Sequence, residues 1–275
     1  MVKYLARAKV NLCLHIVAQR RDGLHLLDSL VVFPEIGDII EGKASDTLRL
    51  HIDGPFGQNL EAEPDNLVLR AAHAMSPPPT ALHLQKNLPL AAGIGGGSAD
   101  CAATIRLLSD MWDIPHPAQD VLAHLGADVP ACMTAHPIRM QGIGDILSPL
   151  PNLPDFWMVL VNANQSVNTA AVFAALDKRQ NAEIADLPSD FADTIDFFNF
   201  LSKQRNDMYR AATGICPVIQ DVLTELHAIN ACALARMSGS GGTCFGLFET
   251  PATAQAAVQD IQARHPDWWV QMAKV

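Results

Sequence analysis

The sequence predicts an α+β protein of two lobes. Three observations carry this. Strand-like and helix-like stretches alternate irregularly, with hairpins among them, which argues against a doubly wound parallel sheet. A chain of 275 residues, 49% hydrophobic and 17% charged, can bury a large core and is not a disordered one. The character also changes near Pro151, where a glycine-turned hairpin gives way to the fully apolar run FWMVLVN. The lobes are therefore expected at residues 1–150 and 151–275.

The elements follow in order. Residues 9 to 17 alternate as a strand. Val10, Leu12, Leu14 and Ile16 fall on one face, and Lys9, Asn11, Cys13 and His15 on the other. The second face sets a cation and an amide one strand repeat apart, although by itself it reads as an ordinary exposed face. Asp22-Gly23 is a tight-turn signal before a second strand. Residues 38 to 53 read as irregular strands and turns. The stretch PDNLVLRAAHAM reads as a helix capped by Asp65, and Ser76-Pro77-Pro78-Pro79 breaks the chain after it. ALHLQKNLPL is a strand leading into the densest glycine cluster of the chain.

That cluster organises the reading. Gly93, Gly95, Gly96 and Gly97 are four glycines in five positions, and a helical pattern of Ala102, Ile105, Leu108, Met111 and Trp112 follows. Ser98 is the expected N-cap, with Asp100 in the first turn. A glycine-rich loop feeding a helix N-terminus is an anion site: the backbone can come close, and the first N–H groups lack helical partners. It is not a Walker A loop, because no Gly-Lys-Ser/Thr follows. It is not the dinucleotide fingerprint, because Ser98 stands where the third glycine would fall.

Beyond the loop, QDVLAHLG is a short helix ending at Gly126. Asp128 follows, flanked by Val129-Pro130 and apolar residues, which suggests a partly buried carboxylate. PIRMQGIGDILSPLP reads as a hairpin with Gly142 and Gly144 at its turn, closing the first lobe. In the second half, PVIQDVLTELHAIN and residues 251 to 264 are amphipathic helices. ARMSGSGGTCFGLFE gives strand, glycine loop and strand, and WWVQMAKV a closing strand.

Composition excludes several classes. A formal charge of −10 disfavours nucleic acid and anionic membrane as partners. No apolar run is long enough to span a bilayer. Lys3, Arg7 and Lys9 precede a short apolar stretch, but no small-residue cleavage site follows, so no targeting segment is expected. The cysteines (13, 101, 132, 216, 232, 244) form no CxxC pair and read as reduced thiols of a cytoplasmic protein.

The loop segment PLAAGIGGGSADCAAT resembles the second motif of the GHMP kinases, small-molecule kinases with their own Gly/Ser-rich ATP loop. ARAKVNLCLHI resembles the family's opening motif A-P-A-K-[IV]-N-L-x-L, with Arg7 in place of the proline. GADVP resembles G-[AS]-D-[IV]-P, and ARMSGSGGTCF the third motif. Together these motifs cover most of the chain. The resemblance implies the two-lobe GHMP kinase fold, with a ribosomal protein S5 domain 2-like N-terminal lobe, an α/β-sandwich C-terminal lobe, and ATP and substrate held between them.

It also implies roles. Pro89, Leu90, Ala91, Ala92, Gly93, Ile94, Gly95, Gly96, Gly97, Ser98 and Ala99 would form the ATP loop, with Mg²⁺ bridging the phosphates. Asn66 and Lys86 would lie near the nucleotide. Asp128 would be the catalytic base and Lys9 its partner. Within the family the fit is to members that phosphorylate a cytidine diphosphate derivative of methylerythritol in non-mevalonate isoprenoid synthesis. On that resemblance Asn11, Leu24, His25, Thr169 and Phe173 would place the small-molecule substrate. Leu24 stands where those members carry tyrosine. Two rival readings follow: a GHMP kinase for another small alcohol, or a nucleotide-binding module without catalysis. The resemblance names no metal ligand and no oligomeric state.

Overall fold

The computed structural model describes residues 1–58, 60 and 62–275. They form two compact units that interleave along the chain. Unit 1 comprises Met1–Lys9, Ile36–Leu90 and Gly95–Ala135, and unit 2 comprises Val10–Glu35, Ala91–Ile94 and His136–Val275. In chain order the elements begin with β1 (Val2–Arg7), β2 (Val10–Gln19), β3 (His25–Val32), β4 (Gly37–Ala44), β5 (Arg49–Asp53), α1 (Leu67–Met75) and β6 (Thr80–Gln85). Then come α2 (Gly96–Trp112), α3 (Gln119–Leu125), α4 (Val129–Thr134), β7 (Ile138–Gly142), β8 (Ile146–Pro149) and β9 (Trp157–Asn162). The chain finishes with α5 (Thr169–Ala174), α6 (Thr194–Ser202), α7 (Tyr209–Ile215), α8 (Val218–His227), β10 (Leu234–Met237), β11 (Thr243–Phe248), α9 (Pro251–Arg264) and β12 (Trp269–Lys274).

Unit 1 is one sheet of order β1-β4-β6-β5, with β5 and β6 parallel and the other pairs antiparallel. Helix α2 packs on β1 and β4, and α1 packs beside α2. The apolar stripe read in the sequence is why: Ala102, Ile105 and Leu108 are buried, and each such side chain removed from water contributes about 1.5–3 kcal/mol if as large as leucine. The short helix ending at Gly126 is present as α3.

Unit 2 holds two antiparallel sheets, β2-β3-β7-β8 and β10-β11-β9-β12. Helix α8 buries Ile219, Val222, Leu223 and Leu226, one face at helical spacing. Helix α9 buries Ala254, Ala257, Val258 and Ile261. Predominantly antiparallel sheets with helices laid on them make the expected α+β class.

Three local expectations are corrected. The second face of β2 is not exposed: Asn11, Cys13 and His15 are all buried, because β2 is covered on both sides. Helix α1 is capped by Asn66, whose side chain accepts from Val68 N, and not by Asp65. Helix α2 starts three residues early, at Gly96 after a left-handed Gly95, so Ser98 lies inside the first turn and makes no cap. The hairpin β7–β8 forms as expected, and β7 also pairs with β3. The six cysteines are free thiols. No helix among the described residues is long and apolar enough to cross a membrane.

Candidate active site

The glycine loop runs from the end of β6 to the start of α2. Ala91, Gly93 and Gly95 all take left-handed backbone angles. In unit 2 the loop's carbonyls are tied back one after another. Val167 N donates to Ala91 O at 3.1 Å, Thr243 N to Ala92 O at 3.0 Å, and Ser238 Oγ to Gly93 O at 3.0 Å. Gly93 must be glycine: φ is +70°, and a Cβ there would lie 2.5 Å from Gly241 O. In unit 1 the first helical bond of α2 runs from Ala99 N to Gly95 O at 2.9 Å. The N–H groups of Gly96, Gly97 and Ser98 therefore have no helical acceptor and stand at the positive end of a 17-residue helix. That arrangement fits the phosphates of a nucleotide. Ala92, Ile94 and Ala99 are buried and shape the loop, while Leu90 is exposed and Pro89 leads in.

Beside the loop lies an ion pair. Lys9 Nζ donates to Asp128 Oδ1 at 3.0 Å, with the lysine 6% and the aspartate 35% exposed. The sequence explains why the carboxylate is available. Asp128 sits at the N-cap of α4, where a capping oxygen would accept from the second or third helical N–H. Pro130 is the second residue and has no N–H, and Asp128 makes no side-chain cap bond. The stem of Lys9 crosses Gly95, where a Cβ would lie 3.1 Å from Lys9 Cβ and 3.3 Å from its Cε. Gly95, at φ +63°, thus admits the lysine to the base of the loop.

Lys86 has a different setting. It is almost fully buried, and Nζ donates to Asp38 Oδ2 and, at 2.7 Å, to Asp100 Oδ2. Asp38 Oδ1 accepts from Asn87 N at 2.5 Å and from Leu88 N at 2.8 Å, fixing the backbone that enters the loop. Burial pushes the Asp100 carboxyl up to about 8, opposed by the Lys86 charge and assisted by Asp38. One lysine cation balances one carboxylate, so the second is held protonated. Asp100 Oδ1 is buried without a hydrogen-bond partner among the described residues, which a neutral carboxyl tolerates better than a carboxylate. Burial opposes the Lys86 charge, but the two aspartates prevail and its pKa is raised. Gly96 lies over this cluster, since a Cβ there would be 3.1 Å from Lys86 Nζ. Asn66 spends its side-chain oxygen on the cap of α1, and the next residue, Leu67, reaches Gly97.

Unit 2 holds the residues expected on the substrate side. Asn11 Nδ2 donates to Ser29 Oγ at 2.7 Å, and Asn11 N to Ser238 Oγ at 3.1 Å. Thr169 Oγ1 and Ser240 Oγ share a hydrogen bond of 2.7 Å. His25 stacks on Phe173 with centroids 4.9 Å apart and planes at 19°. Burial, then the charge of Arg179, pulls the His25 pKa down, which favours the neutral ring. Its Nε2 is buried without a hydrogen-bond partner among the described residues. Leu24 is exposed, with its backbone N–H bonded to Asp22 Oδ1.

Sequence reasoning missed the bracing residues. Ser238 holds Gly93, and Asn206 Nδ2 donates to both Met237 O and Gly239 O at 2.9 Å. Asp38 and Asp100 complete the Lys86 cluster. The third glycine motif was a signal for Ser238. Asp38 carried none, because a single aspartate before a strand reads as a turn residue.

Comparison with known proteins agrees with this geometry. Residues 66–146 match the model for the GHMP kinases N terminal domain, and residues 173–267 that for the GHMP kinases C terminal. A 4-diphosphocytidyl-2-C-methyl-D-erythritol kinase of Cereibacter sphaeroides is 45% identical over 276 residues, covering 100% of this chain and 99% of that protein. One of Ruegeria pomeroyi is 49% identical at the same coverage. A crystal structure of 4-(cytidine 5'-diphospho)-2C-methyl-D-erythritol kinase superposes with a TM-score of 0.78 at 26% identity, covering 98% of each chain. A mevalonate kinase of L. major shares the fold, with a TM-score of 0.68 at 15% identity over 99% of this chain and 96% of that one. Fold and loop thus define an ATP-dependent small-molecule kinase. The chain belongs to the GHMP kinase family.

Proposed function

We propose that this kinase transfers the γ-phosphoryl group of ATP to the 2-hydroxyl of 4-diphosphocytidyl-2-C-methyl-D-erythritol. The observation that carries the chemistry is the Lys9–Asp128 pair at 3.0 Å, seated on Gly95 of the phosphate loop. Full-length relatives of that name support the substrate. Asp128 accepts the proton of the attacking hydroxyl. The hydroxyl oxygen bonds to the γ-phosphorus, the bond to the β-phosphate oxygen breaks, and ADP leaves. Lys9 keeps Asp128 ionised and neutralises charge that develops on the transferring group. The N–H groups of Gly96, Gly97 and Ser98 hold phosphate oxygens in place, and positioning is most of what phosphoryl transfer asks of a protein. Mg²⁺ bound with the nucleotide would supply charge neutralisation, and protein oxygens beside the loop would hold it. Ser98 Oγ, near Gly126, is the side-chain oxygen at the helix end of the loop.

On the substrate side, Phe173 stacks on the cytosine, His25 Nε2 bonds it, and Leu24 covers it. Asn11 and Thr169 belong to the same set. Residues 1–150 and 151–275 serve as the two lobes of the family, a division supported by where the two family models match. The free thiols fit a reducing cytoplasm.

The test is ATP turnover against a panel of small alcohols with and without the cytidylyl group. Turnover confined to a non-nucleotide alcohol selects the rival that Leu24 favours, a kinase for a different alcohol. ATP binding without turnover overturns the enzyme. Base stacking contributes about 1–3 kcal/mol per base, of which leucine keeps part. Leu24→Tyr is expected to lower KM for the cytidylated substrate roughly fivefold, about 1 kcal/mol, and to leave KM for ATP alone. Phe173→Ala should be more damaging than Leu24→Ala.

A further inference from the structure

The face of the unit 1 sheet turned away from α2 carries a row of chemistry that the kinase reading does not use. Register aligns it. Lys3 pairs with Glu41 across β1 and β4, Glu41 with His83 across β4 and β6, and His83 with His51 across β6 and β5. Asp53 lies two residues beyond His51, so it emerges on the same face. His51 and His83 stack with ring centroids 5.3 Å apart and planes at 25°.

Both imidazoles converge on one carboxylate oxygen. His83 Nε2 is 2.9 Å and His51 Nε2 is 3.9 Å from Asp53 Oδ2. One ligand atom from each of the three residues lies within 4.8 Å of the others. The His83 contact is close but out of line for a hydrogen bond, and Nε2 is buried without a hydrogen-bond partner among the described residues. His83 Nδ1 is 3.4 Å from Glu41 Oε2. That contact leaves Nε2 as the ring nitrogen turned to the Asp53 carboxylate, 2.9 Å away.

We infer that His51, Asp53 and His83 form a binding site for a divalent transition metal, with zinc as the best match. Two imidazoles and a carboxylate suit zinc, cobalt, nickel or copper better than magnesium or calcium. Zinc bonds of about 2.0–2.2 Å place tetrahedral ligands roughly 3.3 Å apart, and separations of 2.9 and 3.9 Å straddle that spacing. Glu41 is the carboxylate behind the ligating histidine, which fixes its tautomer. A shallow cavity lined by Glu41, Lys43, Arg49, His51 and His83 opens beside the two imidazoles. The bound ion would pin β5 to β6 at Asp53, whose carbonyl accepts from Lys86 N at 2.8 Å. Because His51 is 74% and Asp53 48% exposed, exchange with solvent metal is unhindered.

The experiment is calorimetric titration of the untagged full chain with zinc chloride, read beside the visible spectrum of the cobalt-loaded protein. One zinc per chain is expected, with nitrogen and oxygen ligation and no thiolate absorption, since the cysteines are buried or half-buried. His51→Ala and Asp53→Asn should each weaken binding at least tenfold, and Glu41→Gln about 10–100-fold as loss of the tautomer-fixing partner. His51→Ala should keep full kinase activity and lose only the zinc-dependent rise in Tm. Absence of zinc binding overturns the site. So does equal zinc binding by wild type and the His51→Ala, Asp53→Asn double variant. So does histidine NMR showing His83 doubly protonated at neutral pH, because the row is then an imidazolium clamped by two carboxylates.

Discussion

Two lysines stand under adjacent glycines of the phosphate loop and do opposite work. The stem of Lys9 crosses Gly95, and its ammonium meets Asp128, a carboxylate 35% open to solvent. The ammonium of Lys86 lies under Gly96 and meets Asp38 and Asp100, which solvent hardly reaches. Both pairs join the same ions. What differs is how much water and backbone surrounds them. Asp128 is left with bonding capacity, because Pro130 removes a cap donor. Asp38 gives its remaining oxygen to Asn87 N and Leu88 N. An ion pair with a solvent-facing carboxylate can exchange protons with a substrate. A sealed one holds a loop in place.

The largest expected effect tests the open pair. Asp128→Asn and Lys9→Ala should each lower kcat at least ~10²-fold, with Tm close to wild type. Near-normal turnover by either purified variant would remove the distinction. Next comes the sealed cluster. Lys86→Met leaves the buried Asp38 carboxylate uncompensated, and loss of one partner of a buried pair costs about 3–5 kcal/mol. Urea unfolding should report that loss, while kcat measured well below the melting temperature should fall far less than in Asp128→Asn. If Lys86→Met instead folds like wild type but fails to bind ATP, Lys86 is a nucleotide ligand and the contrast is wrong.

A pH series sharpens the comparison further. The folded pKa of Asp100 is raised from 3.8 to about 8, so the native state keeps a proton that the unfolded chain gives up. The resulting stability is fully present below about pH 4 and is lost as pH rises through about 8. Asp100→Asn mimics the neutral acid and should flatten that slope, read as the urea midpoint at pH 5 and pH 8.5. An unchanged slope would mean that Asp100 is ionised in the cluster. The smallest effect separates the two glycines. Gly95→Ala meets both a left-handed backbone, costing ~1–2 kcal/mol, and the Lys9 stem, so turnover should drop. Gly96→Ala meets only the far end of Lys86 and should shift Tm slightly with turnover retained. Equal loss of activity in both would show that the loop responds as one body.

Much of this was legible in the residues. Spacing of apolar positions marked α2, α8 and α9, since a helix buries one stripe whatever it packs against. Turn chemistry marked Asp22-Gly23 and the Gly142 hairpin. The loop announced itself because no ordinary turn needs Gly93, Gly95, Gly96 and Gly97 together. Asn11 was less legible: alternation predicted an exposed face, and the strand is covered on both sides. The pattern of one strand cannot report what lies over it.

The sequence by itself determined the class of the elements and the position of the anion site. Those are local properties, set by glycine conformation and helix periodicity. Only the tertiary structure decided which lysine is which. Lys86 lies just before the glycine loop in the chain, and Lys9 lies far from it. Burial beside Asp38, 48 residues away, turns one into a prop, and Asp128, 119 residues away, gives the other a carboxylate that faces solvent. Charge acquires its role from the dielectric around it and from partners brought close by folding, and neither quantity is written in the chain near either lysine.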